Sequence, residues 1–322
     1  MNDQQAPGAP TEPLTSADVS IVTVSYRGDL AIAQELCRSV DAHLPDGAEH
    51  VLVVPRSDLA LFEPLAGPSR RVIAVESVLP RGYRKIPAPR RITIGRFSRQ
   101  VREIWVTPRG VARGWIIQQI VKLSADAITD REIVVFADSD IVLVAPLTLE
   151  HLARAGSVRL YRVAGATADL PSHIRWHDVS ARLLGLSVSG YTGADYIGNL
   201  ITWRRSNVLR LQRRLAEVAG RRWDRVIARQ QRFSEYILYG IFADLVLGDD
   251  ESGHCRTADD LVHAGWFYDL TTSDGVEGFL DGFTPGQVGV AIQSTERFTL
   301  AERRAMIDRI ADGTPGSTGA DG

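Results

Sequence analysis

The sequence predicts an α/β fold with an open, mostly parallel β-sheet, and two patterns lead to this prediction. Residues 19–25 and 133–137 are apolar runs rich in β-branched side chains, without the alternation of a strand that has one face in solvent. Such runs are typical of parallel strands covered on both faces. Segments with helical periodicity lie between them, and this β-α-β order favours right-handed crossovers. Ligands of open parallel sheets bind beyond the carboxyl ends of the strands, so functional side chains are expected there.

The first half of the chain alternates strands and helices. After the strand at 19–25, Asp29 is placed to cap a helix whose apolar residues recur at helical spacing from Leu30 to Val40. The other elements predicted in this half are strands at 51–54, 72–75 and 133–137 and helices at 59–65 and 112–128. The second half is mixed, with a strand at 200–203, helices at 207–218, 223–230, 234–246 and 300–310, and a strand-and-loop segment at 255–270.

Composition and charge exclude several classes of protein. The 322 residues are 44% hydrophobic and 24% charged with a net charge of −2, so no basic excess indicates nucleic acid as a partner. The two cysteines, Cys37 and Cys255, cannot form a disulfide scaffold and neither belongs to a C-x-x-C pair. No apolar stretch approaches the roughly 20 residues that span a bilayer, and the polar, proline-rich N-terminus is unlike a signal peptide. We therefore expect a cytoplasmic protein without a transmembrane segment.

The chain is predicted to form a single domain at 18–312. Residues 1–17 and 313–322 are rich in small and polar residues, which predicts two disordered tails. Within the domain, residues 18–145 form the half with the regular strand and helix alternation, and residues 146–312 form the mixed half.

Two carboxylates follow the strand at 133–137. Asp138 and Asp140 lie one residue apart, and a second apolar stretch follows them. Two acids at the exit of a buried strand are unfavourable unless a cation meets them. Hard oxygen ligands suit Mg²⁺ or Mn²⁺, and such ions often hold substrate phosphates as well. The pair therefore indicates a divalent-metal site, and the alternative is two loop acids that cap nearby backbone.

The segment Phe136-Ala137-Asp138-Ser139-Asp140 resembles the D-x-D element of nucleotide-sugar-dependent glycosyltransferases of the GT-A fold. Further segments are similar, in the same order, to motifs of a poorly characterised bacterial group of such enzymes: GWIIQQIVKL at 114–123, SEYILYG at 234–240, HAGW at 263–266 and Gln293-Ser294. The resemblance runs from about residue 20 to residue 294. It implies a Rossmann-like, mostly parallel sheet flanked by helices that binds the nucleotide sugar, followed by a mixed α+β half on the acceptor side.

The resemblance also implies an activity and a cofactor. A sugar would pass from a nucleotide diphosphate donor, for which we expect a UDP-sugar, to a hydroxyl of a small molecule or glycan. Asp138 and Asp140 would hold Mn²⁺ or Mg²⁺. A late histidine of GT-A enzymes frequently reaches the metal or the diphosphate, which favours His263, with the nearby His254 as the competing candidate.

Seven residues are candidates for donor binding. Three of them end the first strand, where the GT-A family receives the base. Three others fall on one stripe of the predicted helix at 112–128 by i, i+3 and i+4 spacing, and one of these is one of only two lysines in the chain. The alternative for this stripe is a solvated helix face. The candidates are Val24, Ser25, Tyr26, Trp115, Gln118, Lys122 and Ser139.

Glu235 is the candidate general base. In inverting GT-A enzymes an Asp or Glu at this place in the chain deprotonates the acceptor hydroxyl, so the resemblance implies inversion. The plainer alternative is that Ser234 caps a helix and Glu235 is its first-turn acid. The candidates for acceptor or sugar binding are Gly198, Asn199, Tyr236 and Trp266.

Two other functions fit parts of the sequence. Residues 138–142 match the D-x-D-x-[TV] signature of haloacid-dehalogenase-type phosphatases, in which the first aspartate, here Asp138, attacks phosphorus. That family uses a lysine downstream of the motif, and no lysine follows Lys122 here. A non-catalytic sugar-nucleotide-binding module is the second alternative.

Overall fold

Helices and strands follow each other along the part of the chain that the structure describes. The computed structural model describes residues 13–86, 91–94, 97–100, 104–107, 110–230, 232–293 and 298–313. The strands are β1 (Val19–Val24), β2 (Glu49–Val54), β3 (Arg70–Ala74), β4 (Arg84–Ile86), β5 (Arg91–Ile94), β6 (Phe97–Gln100), β7 (Ile104–Thr107), β8 (Gly110–Arg113), β9 (Ile133–Phe136), β10 (Ile141–Leu143), β11 (Ala153–Arg154), β12 (Ser157–Tyr161), β13 (Val163–Ala164), β14 (Ala194–Asp195), β15 (Ile201–Arg204), β16 (His254–Thr257), β17 (Val262–Ala264) and β18 (Gly289–Ala291). The helices are α1 (Leu30–His43), α2 (Leu59–Phe62), α3 (Val75–Val78), α4 (Gly114–Lys122), α5 (Ala125–Ile128), α6 (Leu149–Leu152), α7 (Pro171–Leu183), α8 (Arg205–Ala219), α9 (Trp223–Ile227), α10 (Glu235–Ile241), α11 (Gly248–Ser252), α12 (Ser273–Asp281) and α13 (Leu300–Asp312).

The central sheet has five strands in the order β15-β9-β1-β2-β3. Strand β1 pairs in parallel with β2 and β9, and β2 pairs in parallel with β3. Strand β15 is antiparallel to β9. The predicted α/β fold with a mostly parallel sheet flanked by helices is therefore confirmed.

Both faces of this sheet are covered, which explains why β1 and β9 are apolar without alternation. Val22 and Phe136 belong to a core cluster that includes the buried side chains of α4 and α8. Ile21 and Val135 face the other side, where a second cluster includes residues of α1. Parallel strands buried on both faces have this composition because neither set of side chains meets water.

The predicted helix at 112–128 is wrong in extent. Ala112 belongs to strand β8, where it pairs with Trp105 of β7, and α4 begins at Gly114. Ser124 lies between α4 and α5 and donates a hydrogen bond from its hydroxyl to the carbonyl of Ile120, 2.8 Å away. Strand pairing and this local side-chain bond both override the helical periodicity of the segment.

The mixed half contains small sheets and several helices. Strands β10, β18 and β17 form a three-stranded sheet, and β11, β12 and β16 form another. Helices α7 and α12 were not predicted. The helix predicted at 234–246 begins at Glu235 as α10 and continues as a π-helical segment (Phe242–Leu247).

The predicted tails lie largely outside the described residues, as does Ser294 of the last motif. Inside the first predicted tail, Leu14 packs against the core cluster on the α1 side of the sheet. Within the described ranges, every helix is too short or too polar to cross a membrane.

Candidate active site

A cavity of about 350 Å³ lies beyond the carboxyl ends of β1 and β9. The topology places it there because parallel strands deliver their following loops to one edge of the sheet. Its walls come from the end of β1, the start of α1, the loop after β9, and helices α4, α7 and α10. Its polar lining includes Asp29, Gln118, Lys122, Asp138, Asp140 and Glu235.

Lys122 lies at the centre of the polar lining, and only 9% of its side chain is exposed. Its ammonium lies 3.3 Å from Asp138 Oδ1 and 3.3 Å from Glu235 Oε1. It also donates a hydrogen bond to the Tyr236 hydroxyl, 2.6 Å away. Burial would lower the pKa of Lys122, but the charge of Asp138, Tyr236 and the charge of Glu235 raise the pKa well above its usual value. Lys122 is therefore a buried cation, and the solvated-face alternative is wrong for it.

Asp138 and Asp140 both line the cavity, and 56% of the Asp138 side chain is exposed to solvent. Between them, Ser139 donates a hydrogen bond to the Ser25 hydroxyl over 2.9 Å. This bond fastens the acidic loop to the end of β1. Ser139 and Ser25 thus have a positioning role that the sequence did not predict.

Asp29 adds a third carboxylate that the sequence analysis did not assign to the site. It lies at the N-cap position of α1, but its side chain makes no capping hydrogen bond and instead lines the cavity. Burial and the nearby charge of Asp138 raise the pKa of Asp29. Prediction from the sequence failed here because aspartate is also the ordinary residue at a helix N-cap.

Arg303 is the second residue that the sequence analysis missed. It lies on α13, more than 160 residues after the acidic pair, and is almost fully buried. Its guanidinium donates hydrogen bonds to the backbone carbonyls of Asp140 and Ile292 and lies 3.4 Å from the Glu35 carboxylate. Arg303 therefore ties the acidic loop to α1 and to the C-terminal helix. No local pattern distinguishes it from the other arginines of the chain.

Glu235 is the first residue of α10, and its side chain is 8% exposed. Its backbone N–H donates a hydrogen bond to the Gln119 side-chain oxygen, 3.1 Å away, which fixes the start of α10 against α4. Burial raises the pKa of Glu235, against the opposing charge of Lys122. The Glu235 carboxylate is therefore held in one position beside Lys122, and it is more basic than the carboxylate of an exposed glutamate.

The structure brings together Val24, Trp115, Gln118, Lys122, Asp138, Ser139, Asp140, Glu235 and Tyr236 of the predicted site residues. It does not place Ser25, Tyr26, Gly198, Asn199, Trp266 or His263 in the cavity wall, although Ser25 contacts Ser139 from behind it. Gly198 has a packing role, because a Cβ there would lie 2.8 Å from the Tyr161 ring. Ile197, the residue before it, does line the cavity.

The two histidine candidates are packed elsewhere. His263 stacks on Phe279 with ring centroids 4.7 Å apart, and its Nε2 bonds the Phe279 carbonyl over 2.7 Å. His254 bonds the Val158 carbonyl through Nδ1 and the Tyr239 hydroxyl through Nε2. His254 thus uses both ring nitrogens and His263 uses Nε2 in these contacts, and neither ring lines the cavity that contains the acidic pair.

A family model described as a family of unknown function, DUF6492, matches residues 17–312. The chain belongs to this family. No curated protein matches the chain.

Two solved structures resemble this DUF6492 protein. One, an active-site mutant of LgtC, is 12% identical with a TM-score of 0.45, and the match covers 90% of this chain and 95% of that one. The other is the galactosyltransferase LgtC in complex with donor and acceptor sugar analogues, which is 15% identical with a TM-score of 0.43, covering 92% and 96%.

The donor set of the DUF6492 site suits a hard cation. Asp29, Asp138 and Asp140 offer carboxylate oxygens to one cavity. Burial, and after it the charge of Asp138, raise the pKa of Asp29, and a cation would oppose the second of these effects. Among the described residues no group of three His, Cys, Asp or Glu side chains is close enough to hold a metal ion. A metal here would therefore need ligands from a substrate or from water.

Proposed function

We propose that this protein is a metal-dependent glycosyltransferase of the GT-A type. It would transfer a sugar from a nucleotide diphosphate donor, which we expect to be a UDP-sugar, to a hydroxyl group. One observation carries the proposal: the acidic pair Asp138 and Asp140 shares a cavity with a buried Lys122 and with Glu235.

The charged side chains that line the cavity support an anionic donor that binds together with a metal cation. Asp29, Asp138, Asp140 and Glu235 are four acids, and among the residues that line this cavity Lys122 is the only lysine or arginine. A diphosphate alone would be repelled by this excess of carboxylates. Mg²⁺ or Mn²⁺ held by Asp138 and Asp140 would bind the diphosphate and stabilise the charge that develops on the leaving group.

Glu235 supplies the general base. Its carboxylate accepts the proton of the acceptor hydroxyl while that oxygen attacks the anomeric carbon, and the bond from this carbon to the diphosphate breaks. Lys122 keeps Glu235 ionised, and burial strengthens it as a base. A single displacement of this kind inverts the anomeric configuration.

The test is a screen of nucleotide sugars for donor hydrolysis with Mn²⁺, with Mg²⁺ and with excess EDTA. We expect turnover of one donor class that EDTA abolishes. Asp140→Ala should lose turnover and bind UDP more weakly in Mn²⁺, with an unchanged circular dichroism spectrum. Full activity in excess EDTA contradicts the proposal.

A phosphatase is the second candidate, and the contact between Lys122 and Asp138 favours it. The lysine that the sequence lacks downstream of the motif is supplied in space, 3.3 Å from Asp138. A phosphatase of this kind would form an aspartyl phosphate at Asp138 and release phosphate from p-nitrophenyl phosphate. Phosphate release without nucleotide-sugar turnover would select this alternative. Nucleotide-sugar binding without any turnover would select the non-catalytic module.

A further inference from the structure

The cavity is lined by two neighbouring tryptophans to which the proposed transfer chemistry gives no role. Trp115 of α4 and Trp176 of α7 both line it, with ring centroids 6.4 Å apart and planes tilted by 41°. Trp115 is 43% exposed, which is a large apolar surface in the wall of a polar cavity. Ligand pockets are commonly lined by aromatic side chains with a few polar groups, so these two rings are candidates for ligand contact.

Contacts with His173, and through it with Asp195, hold Trp176 of the aromatic pair in place. His173 packs on Trp176 with centroids 4.6 Å apart, and its Nδ1 lies 3.0 Å from the Asp195 carboxylate. Asp195 also accepts hydrogen bonds from the backbone of Tyr196 and Ile197. The Trp176 ring therefore rests on a polar cluster that fixes its orientation.

The geometry of the two rings limits what they bind. A nucleobase held between two rings needs them parallel and two stacking distances apart. Trp115 and Trp176 are tilted and lie within the range of direct ring contact, so no flat ligand fits between them. They instead offer one angled apolar surface, and the exposed amide of Gln118 lies in the same wall. A pyranose ring matches this surface because it has an apolar C–H face bordered by hydroxyl groups.

The two tryptophans share the cavity with the proposed base. Trp176 is carried by α7, which packs against α10, and α10 begins at Glu235. A ligand on the tryptophans would therefore lie in the same cavity as the Glu235 carboxylate.

We propose that Trp115 and Trp176 form the acceptor subsite and that the acceptor is a saccharide whose ring stacks on Trp115. This reassigns Trp115, which the sequence analysis grouped with the donor. That the saccharide is an acceptor depends on the proposed function, but its binding to Trp115 does not.

The experiment measures saccharide binding directly. Saturation-transfer-difference NMR is recorded on the full chain with UDP and the diamagnetic ion Mg²⁺ and with the methyl pyranosides of glucose, galactose and mannose. We expect saturation of ring C–H protons of at least one glycoside. Trp115→Ala should weaken that binding by more than about tenfold, and Trp115→Phe should keep part of it. Phe267→Ala is the matched control, since Phe267 is an aromatic residue 87% exposed outside the cavity.

The outcomes separate this inference from the proposed function. Equal glycoside binding by wild type and Trp115→Ala, or no binding of any of the three glycosides, overturns it. Loss of UDP binding in Trp115→Ala, with glycoside binding intact, places Trp115 at the donor base and also overturns it. Trp115-dependent glycoside binding without turnover of any nucleotide sugar leaves the subsite standing and contradicts the transferase. Thermal unfolding of each variant shows whether the fold is kept.

Discussion

The Lys122 ammonium lies 3.3 Å from the Glu235 carboxylate, and both side chains are more than nine-tenths buried. The same ammonium lies 3.3 Å from Asp138. One cation thus links the proposed base to the proposed metal site. Truncating one partner of a buried pair leaves an uncompensated charge, so the two carboxylates depend on this lysine.

Lys122→Met should therefore affect both substrate binding and protonation. We expect the donor KM to rise by more than about tenfold, equivalent to roughly 1.4 kcal/mol of lost binding. The pKa of Glu235 should rise further, because its nearest opposing charge is gone. Steady-state kinetics across a range of pH measures both effects. Lys85→Met, at the other lysine of the chain, is the control, and an unchanged donor KM in Lys122→Met would contradict this role.

Glu235→Gln should lower kcat by about 10²–10⁴, the usual contribution of general-base catalysis, with donor affinity nearly unchanged. The amide keeps the size of the side chain but cannot accept a proton. Glu150→Gln, at an exposed helix acid, is the matched control. NMR of the anomeric proton of the product gives a separate check, since retention of configuration would show that Glu235 is not this base.

The pH profile of the wild type should carry the signature of a buried base. Glu235 must be deprotonated to act, and its pKa is raised above the usual value of 4.5. The acidic limb of log kcat/KM against pH should therefore lie above pH 4.5. Glu235→Gln should remove this limb from its residual activity. A limb that persists unchanged in Glu235→Gln would belong to another group.

Asp140→Asn should weaken Mn²⁺ binding by more than about tenfold, because the amide retains one weak oxygen ligand and loses the charge. Isothermal titration with Mn²⁺ in the presence of UDP measures this. Asp130→Asn is the control, since its side chain is fully exposed and outside the cavity. Equal Mn²⁺ affinity in Asp140→Asn and wild type would remove Asp140 from the metal site.

Arg303 is expected to act as a positioning residue for the acidic loop. Arg303→Met removes the guanidinium hydrogen bonds to the carbonyls of Asp140 and Ile292. We expect a lower Tm together with Mn²⁺ binding weakened by about tenfold. Arg304→Met is the matched control, because Arg304 also pairs with Glu35 but makes neither of these backbone bonds. A lower Tm with full Mn²⁺ affinity would mean that Arg303 supports only the fold.

The stability of the fold should fall on mild acidification because of His50. Its Nδ1 accepts a hydrogen bond from Arg70 over 2.9 Å, and its Nε2 bonds Thr23, so the ring is neutral. Burial and the charge of Arg70 lower the pKa of His50 to about 3. Between pH 6.5 and pH 3 the unfolded chain binds this proton and the folded chain does not, so stability is full above pH 6.5 and declines as the pH falls.

The expected loss from His50 is about 3 kcal/mol between pH 6.5 and pH 4, at 1.36 kcal/mol for each unit of pH. Urea unfolding of wild type and His50→Gln at pH 7 and pH 4 measures it. Glutamine can also donate and accept a hydrogen bond but does not titrate. The loss on acidification should be smaller in His50→Gln, and an equal loss in both proteins would assign the acid sensitivity to other groups.

Features encoded within a short stretch of chain were predictable. The strands around β1 and β9 follow from continuous apolar runs, and the placement of Asp138 and Asp140 beyond β9 follows from the way a parallel sheet delivers its loops to one edge. The periodicity of α4 placed Lys122 and Gln118 on one stripe, and both line the cavity. Each of these signals lies within a short segment, so a single sequence is enough to predict the features that they encode.

Contacts between segments that are distant in the chain determined the other features, namely the extent of one helix and several residues of the site. Pairing of β8 with β7 shortened the helix predicted at 112–128, although its periodicity continues. Trp176, Asp29 and Arg303 reach the site from α7, the start of α1 and α13, and no spacing rule relates them to the acidic pair. His263 lies on a strand that points it into an aromatic cluster. Side chains far apart in the chain become neighbours only through the packing of whole elements, and that packing depends on the summed burial of many residues.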